Sequence, residues 1–211
     1  MNKKLKKQPI GESLIEVITA IFVLVIGSSV AVSIVVNGMQ TNNFNRDSML
    51  ALNLAIEGVE AMRTIRDNNW LRFAYDKEKC WDIAPEKKEC EDGNKIPNGN
   101  YIVDLDKTYS WNLNKIDSLK ELDLNSGLEK NADFRLKIQD RGGAPDKQNI
   151  YVSAKGATLK DIDSPFYRMI TIKTEPSADQ MNVTSAVQWL YQGQKHEIKI
   201  TNKLSNYESI K

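Results

Sequence analysis

An uncharged segment near the amino terminus constrains this chain more than any other feature. No Asp, Glu, Lys or Arg occurs from Val17 through Asn45, although 27% of the 211 residues are charged. The part from Val17 to Val36 is interrupted only by small or hydroxylated residues. About 20 residues of helix are enough to cross the ~30 Å hydrocarbon core of a bilayer. The sequence therefore predicts one membrane-spanning helix at this end of the chain.

Basic residues are concentrated on one side of the segment. Four lysines precede it (Lys3, Lys4, Lys6 and Lys7), and the next basic residue is Arg46. Because Lys and Arg near a span are retained in the cytoplasm, we expect the amino terminus to be cytoplasmic. The remainder of the chain is then expected outside the inner (cytoplasmic) membrane.

The composition fits one domain with a membrane appendage and excludes several classes of function. Basic and acidic residues number 29 and 28, a formal charge of +1, so no specific nucleic-acid partner is predicted. Two cysteines and a single histidine, His196, exclude a Cys₄ or Cys₂His₂ zinc site and a catalytic histidine pair. We expect no metal site, no other cofactor and no enzymatic activity.

The residues just before the uncharged segment form a specific motif, Gly11-Glu12-Ser13-Leu14-Ile15-Glu16. No small-residue cleavage site of the secretory kind follows the apolar stretch. The motif resembles the leader of type IV prepilins, the class III signal peptide, in which a short basic leader ends in Gly and a Leu-Ile-Glu motif opens an apolar helix. The resemblance implies that a prepilin peptidase cleaves between Gly11 and Glu12.

The first mature residue departs from the family pattern. Family members usually carry Phe or Met at that position, whereas this chain carries Glu12. Gly is the residue on which cleavage depends, so cleavage is still expected. The departure leaves open whether Glu12 receives the usual N-methylation.

Glu16 becomes the fifth residue of the cleaved chain. An ionised carboxylate beside hydrocarbon costs a few kcal/mol unless it has a partner. In pilins the fifth-position carboxylate pairs with the amino terminus of a neighbouring subunit, so the resemblance implies that Glu16 fixes the alignment of subunits. Its position alone leaves open a second interpretation, in which Glu16 is solvated at the headgroup level.

The resemblance implies a structural subunit of a type IV pilus or related filament. The large, loop-rich head favours the minor class, because a bulky head packs poorly at high copy number. The partners of such a subunit are then other pilin subunits, the prepilin peptidase and the pilus assembly machinery, and the assembled protein is on the cell surface. The segment Glu57-Gly58-Val59-Glu60-Ala61 also looks like minor pilins of the pilus-modification type. Two alternatives remain: a pseudopilin of a type II secretion machine, and an uncleaved, membrane-anchored extracytoplasmic binding module.

The helix is predicted to continue beyond the uncharged segment, from about Ser13 to about Asp67. Apolar residues recur there at intervals of three and four, while charged residues occupy the opposite face. The apolar positions are Met49, Leu52, Ile56, Val59, Met62 and Ile65, and the charged ones are Glu57, Glu60, Arg63 and Arg66. We expect the pair Asn37-Gly38 to weaken the helix near the membrane exit.

From Asn100 onward the hydrophobic period becomes two. Residues 134–138, 150–152 and 169–173 alternate, and residues 181–191 and 196–204 flank the turn Gln192-Gly193-Gln194. This pattern predicts an antiparallel sheet of about four strands packed on the amphipathic half of the helix, an α+β fold. The predicted organisation is a leader at 1–11, an apolar helix at 12–45 and an exported head at 46–211. The head comprises a helix at 46–67, a disulfide loop at 76–92 and the sheet at 100–204.

Cys80 and Cys90 lie ten residues apart in a polar stretch. In an exported head they are expected to form a disulfide, which contributes roughly 2–3 kcal/mol by closing a short loop. Aromatic residues surround this loop (Trp70, Phe73, Tyr75 and Trp81). They either form an exposed surface for a partner or cover the end of the helix.

Polar residues elsewhere give no convincing active site. We expect His196 to be a solvated strand residue. The pairs Asp104/Asp106 and Asp161/Asp163 lack the remaining ligands of a calcium loop. Gly142-Gly143 is expected in a turn, and the sequon at Asn182 is discounted because it falls in a predicted strand.

Overall fold

The computed structural model describes residues 12–105, 110–116, 120–140, 149–153, 161–175 and 180–206. The chain divides into two compact units, one ending at Asp47 and the other beginning at Ser48. Helix α1, Glu12–Arg72, contributes to both units. The helix is continuous through Asn37-Gly38, where the sequence predicts a weak point.

The first unit consists of the amino-terminal part of α1. Every residue from Leu14 to Asn43 is exposed in the monomer. The segment is rich in Val and Ile, which are mediocre helix formers in water because their β-branched side chains lose rotamer freedom. An apolar environment nevertheless favours a helix, because the helix satisfies the hydrogen bonds of the backbone N–H and C=O groups within the segment.

The second unit, here called the head, is an α+β domain built on the remainder of α1. In this part of the helix a row of small and apolar residues is buried: Ala51, Leu54, Ala55, Gly58, Val59, Ala61, Met62 and Ile65. The predicted stripe is correct for its last three members. It is wrong for Met49, Leu52 and Ile56, whose exposed fractions are 67%, 41% and 43%.

Close packing explains the difference between the predicted and the observed face. A Cβ added at Gly58 would lie 2.5 Å from Ser185 Oγ and 2.6 Å from Ile170 Cδ1. Small residues therefore face the sheet where the helix approaches it most closely, and the larger Leu52 and Ile56 lie outside. The predicted charged face is wrong for Arg66, which is 6% exposed and paired with Asp67 at 2.9 Å.

One antiparallel sheet of seven strands forms the other layer of the head. The strands are β1 (Gly99–Leu105), β2 (Trp111–Ile116), β3 (Arg135–Asp140), β4 (Asn149–Ser153), β5 (Ile162–Glu175), β6 (Gln180–Tyr191) and β7 (Gln194–Ser205). β5 is the organising strand: it pairs β6 along its length, and β3 and β1 also pair with it at opposite ends. β2 extends the sheet beyond β1, β4 beyond β3 and β7 beyond β6.

The prediction of an antiparallel sheet is confirmed, but the strand count of about four is too low. The alternation of apolar and polar residues does not reveal β1, because five of its seven residues are buried, on both faces of the sheet. β2 is short, with sequence WNLNKI, and its residues are mostly half-buried. A strand covered on both sides does not alternate between apolar and polar residues, so periodicity underestimates it. The hairpin predicted around Gln192 and Gly193 is confirmed by the pairing of β6 with β7.

Two hydrophobic clusters occupy the two faces of the sheet. On one face, Met62 and Ile65 of the helix pack with Ile170, Ile172 and other strand residues. On the other, the irregular segment 120–134 places residues over Ile102 and Tyr167; this segment includes the 3₁₀ turns Leu124–Ser126 and Glu129–Phe134. Gln188 anchors the segment because it accepts from Leu124 N and donates to Leu122 O, at 3.1 and 3.0 Å.

A short irregular region connects α1 to the sheet. It contains helix α2 (Lys77–Cys80) and a 3₁₀ turn at Asp92–Asn94, and it is closed by the disulfide between Cys80 and Cys90. The predicted disulfide is thus confirmed. Cys80 is fully buried beside Phe73 and Ile83, so the bridge is part of a small hydrophobic cluster.

Candidate membrane and assembly segment

The apolar part of α1 is the most conspicuous functional candidate in the first unit. Its large apolar side chains between Leu14 and Met39 have exposed fractions of 46% to 70%. Among the described residues, α1 is the one helix long and apolar enough to span a membrane. Exposing so much apolar surface to water is unfavourable by about 25 cal/mol per Å². The segment therefore needs lipid or other apolar chains around it.

Three hydroxyl side chains within this segment donate to carbonyls of the helix itself. Thr19 Oγ1 donates to the carbonyls of Ile15 and Glu16, each at 3.0 Å. Ser28 and Ser29 both donate to Val25 O, at 3.0 and 2.6 Å. Hydroxyl groups bonded to the preceding turn present little unsatisfied polarity to lipid. These residues therefore do not oppose membrane insertion.

The glycines of the segment have no internal packing role. A Cβ added at Gly27 or Gly38 would meet nothing within 4 Å. Small residues in a spanning helix commonly allow close approach of another helix. Gly27 and its neighbours Ser28 and Ser29 thus form a surface on which a second helix could pack closely.

Three predicted site residues lie around the start of α1. Gly11 falls outside the described residues, and Glu12 is the first residue of the helix. Glu16 is exposed, one turn after the helix begins and directly before the uncharged segment. Its exposed carboxylate is therefore accessible to a partner at the start of the apolar surface.

The aromatic residues near the disulfide have divided roles. Phe73 and Trp81 are each 3% exposed, and Trp70 is half-buried against the main cluster. Tyr75 is 77% exposed, and Leu71, in the last turn of α1, is 80% exposed. The buried rings cover the end of the helix, as one of the two interpretations expected, and Tyr75 alone of the four remains on the surface.

The other polar candidates are accounted for by structure. His196 stacks near Trp189 at 5.5 Å and Tyr191 at 6.4 Å between ring centroids, and is half-buried rather than solvated. Asp163 is paired with Arg135 at 2.7 Å. Asp104 is buried, which raises its pKa, and it accepts a bond from Ser153 N at 3.3 Å.

The remaining predictions concern Asn182, Asp106 and the pair Gly142-Gly143. Asn182 lies in β6, as expected. Asp106, Gly142 and Gly143 are outside the described residues. Within the described part of the chain, no group of three His, Cys, Asp or Glu side chains could hold a metal ion.

Comparison with known proteins returned no relative. No protein-family model, no curated protein and no solved structure matches this chain.

Proposed function

We propose that this chain is a minor structural subunit of a type IV pilus or related filament. In this proposal it is inserted in the inner membrane as a precursor, cleaved after Gly11 by a prepilin peptidase, and assembled through the amino-terminal part of α1. The head is extracytoplasmic, and the assembled subunit is displayed at the cell surface.

The observation that carries the proposal is the exposed apolar surface of the first unit, preceded by Glu16. Burying one large apolar side chain is worth about 1.5–3 kcal/mol, so the 16 exposed ones from Leu14 to Met39 strongly favour an apolar environment. A bilayer supplies that environment before assembly, and the helices of neighbouring subunits supply it afterwards. Transfer between the two is then possible without exposing the helix to water.

Glu16 supports assembly over simple anchoring. Cleavage after Gly11 creates an ammonium group at Glu12, only four residues before Glu16. An isolated charge in an apolar core is costly, and an oppositely charged partner offsets much of that cost. Pairing the Glu16 carboxylate with the ammonium of an adjacent subunit favours one axial alignment, since a displaced subunit leaves both groups unpaired.

The disulfide of the head agrees with export. The Cys80–Cys90 bridge is typical of proteins that fold in an oxidising compartment outside the cytoplasm. Cleavage after Gly11 would remove four of the 29 basic residues and no acidic one, which leaves 25 against 28 and a formal charge of −3 for the mature chain, so no binding of nucleic acid is expected. The irregular segments 76–98 and 120–134 make the head bulky, which favours a subunit of low copy number.

The decisive experiment is mass spectrometry of the mature amino terminus in a strain with active prepilin peptidase. We expect the protein to begin at Glu12, and expect Gly11→Ala to retain all four leader lysines and migrate more slowly. Ser13→Ala serves as the matched control, since it alters the same region without touching the cleavage residue. A wild-type chain that still begins at Met1 in that strain contradicts the proposal and favours the uncleaved anchored module.

Purification of surface filaments separates the two filament alternatives. Recovery of the cleaved protein in sheared pili supports a pilus subunit. A cleaved protein that is absent from pili and required for secretion of folded proteins identifies a type II secretion pseudopilin instead.

A further inference from the structure

A small polar cavity of about 290 Å³ lies in the head where three elements meet. Its walls come from the last turns of α1, the start of β2 and Pro85 of the disulfide loop. Among the described residues lining it, Arg72 is the only charged one. Within the described part of its lining, the cavity thus has one cation and no carboxylate, which favours an anionic ligand.

The guanidinium of Arg72 is held in place from several sides. Nη1 donates to Pro85 O at 3.3 Å, Nη2 donates to Asn69 Oδ1 at 3.1 Å, and the Phe73 ring centroid lies 4.4 Å from the guanidinium carbon. Asn69 is itself fixed, because its amide donates to Trp81 O at 3.1 Å and Ile83 O at 2.7 Å. A guanidinium oriented before binding loses little freedom when a ligand arrives.

Arg72 retains donors for a ligand. A guanidinium has five N–H groups, and its contacts with the described residues use two of them. The planar fork of the remaining donors matches the geometry of a carboxylate, which it can bind in a bidentate manner. A carboxylate is therefore an anionic group that this cation can bind through two parallel hydrogen bonds.

Two amides and an indole ring complete the cavity. Asn68 on α1 and Asn112 on β2 are both exposed. Each amide offers two N–H donors and a carbonyl acceptor, the set that pairs with neighbouring hydroxyl groups. Trp111 is half-buried against the main hydrophobic cluster and gives the cavity one apolar wall.

We propose that this cavity binds an acidic sugar residue of the uronic acid class. Arg72 takes the carboxylate, Asn68 and Asn112 take ring hydroxyls, and the indole of Trp111 contacts the C–H face of the ring. Pockets for drug-sized ligands begin at about 300 Å³, so a cavity of this volume suits one sugar ring rather than a long oligosaccharide. The proposal does not depend on filament assembly, because all of these residues lie in the head.

The test uses ligand-observed NMR to measure the binding of sodium glucuronate to the full chain. The chain is held in lipid nanodiscs, so that no detergent with a sugar headgroup is present. Glucose and acetate are compared at the same concentrations. We expect glucuronate to bind, and both comparison ligands to bind about tenfold or more weakly, since glucose lacks the carboxylate and acetate lacks the hydroxyls. Equal binding of acetate identifies a general carboxylate site, such as one for acidic peptides, and overturns the proposal; equal binding of glucose overturns the role of Arg72.

Variants locate the binding in the cavity. Asn112→Ala is expected to weaken glucuronate binding several-fold, and Arg72→Lys to weaken it about tenfold while preserving the charge. Asn125→Ala, at another exposed asparagine of the head, serves as the control and should bind as the wild type does. Absence of glucuronate binding to the wild type, or unchanged binding to Asn112→Ala, overturns the proposal, and either result leaves the mature amino terminus and the filament test unaffected.

Discussion

Arg168 of β5 reaches across the layer boundary to Glu57 of α1, with Nη1 3.0 Å from Oε1. The arginine side chain is 3% exposed, and it also donates to the carbonyls of Leu54 at 3.2 Å and Val103 at 3.4 Å. One cation therefore connects the helix, the central strand β5 and the neighbouring strand β1. A charge buried this deeply is tolerated because it has acceptors on both α1 and β1.

Removal of the Glu57 carboxylate should destabilise the head. Glu57→Ala leaves Arg168 with only carbonyl acceptors for its hydrogen bonds, so we expect the free energy of unfolding to fall by about 2 kcal/mol. This loss is smaller than that for a fully buried ion pair, because the Glu57 side chain is 37% exposed. Denaturant unfolding of the full chain, followed by tryptophan fluorescence, measures the loss. Glu60→Ala breaks the exposed pair with Arg63 and should cost no more than about 0.5 kcal/mol; equal losses in the two variants contradict the role of Arg168.

Substitution of Gly58 should be costly despite improved helix propensity. Alanine is favoured over glycine in a helix by roughly 1 kcal/mol, but its Cβ at position 58 would lie 2.5 Å from Ser185 Oγ. We expect Gly58→Ala to lower the free energy of unfolding by about 1–3 kcal/mol through overpacking. Gly93→Ala is the matched control, because a Cβ there meets nothing within 4 Å. A stabilised Gly58→Ala protein contradicts the close approach of helix and sheet.

Reduction of the disulfide should loosen the region after α1. We expect reductant to lower the free energy of unfolding by about 2–3 kcal/mol in the wild type. The variant with both Cys80→Ala and Cys90→Ala should be less stable without reductant and insensitive to it. Denaturant midpoints measured with and without reductant check both statements. If full reduction leaves the midpoint of the wild type unchanged, the disulfide has no stabilising role.

Tyr101 should make the head less stable at high pH. Burial raises the pKa of Tyr101 from 10.0 to about 12, with a smaller contribution from Glu86, and its hydroxyl donates to Pro97 O. The folded chain therefore keeps the proton that the unfolded chain loses above pH 10. This contribution to stability, about 1–3 kcal/mol, is fully present below pH 10 and is lost as the pH rises towards 12. Unfolding free energies at pH 9 and 11.5 should fall less for Tyr101→Phe than for the wild type.

Glu16 should matter for assembly and not for insertion. Under the proposed filament function, we expect the Glu16→Val protein to be inserted in the membrane and cleaved after Gly11. We expect sheared filaments to contain it at roughly a tenth or less of the wild-type amount, because the amino-terminal ammonium of the adjacent subunit then lacks a carboxylate partner. Immunoblots of membrane and filament fractions measure this. Glu60→Val, a change of the same kind further along α1, is the control, and incorporation of both variants at the wild-type level refutes pairing through Glu16.

The fold class was accessible from periodicity, whereas the packed face of the helix was not. Counting large apolar residues placed Leu52 and Ile56 inward, yet Ala51, Ala55 and Gly58 face the sheet. Hydropathy values are highest for large apolar side chains, whereas a helix can approach a sheet closely only where its side chains are small. The same limitation applies to β1, whose burial on both faces removes the alternation that reveals a strand.

The proposed sugar cavity gave no sequence signal. Arg72, Asn68 and Asn112 are ordinary polar residues in the chain, separated by up to 44 positions, and no motif connects them. They become neighbours because the disulfide loop folds back onto the end of α1 and β2 begins beside it. A single sequence carries no record of such convergence.

Local patterns along the chain were sufficient to predict the uncharged apolar helix, the change to a period of two and the pairing of the cysteines, because each depends on residues close together in sequence. They were not sufficient to predict the pairing of seven strands around β5, the ion pair between Arg168 and Glu57, or the inward face at Gly58. The ion pair and the contact at Gly58 join residues more than one hundred positions apart, and β5 pairs with strands as distant as β1, where Gly99 lies opposite Ile172. The packing at Gly58 also depends on the distance at which the helix and the sheet come into contact. Local pattern fixes which elements form, and the fit between their surfaces fixes how they meet.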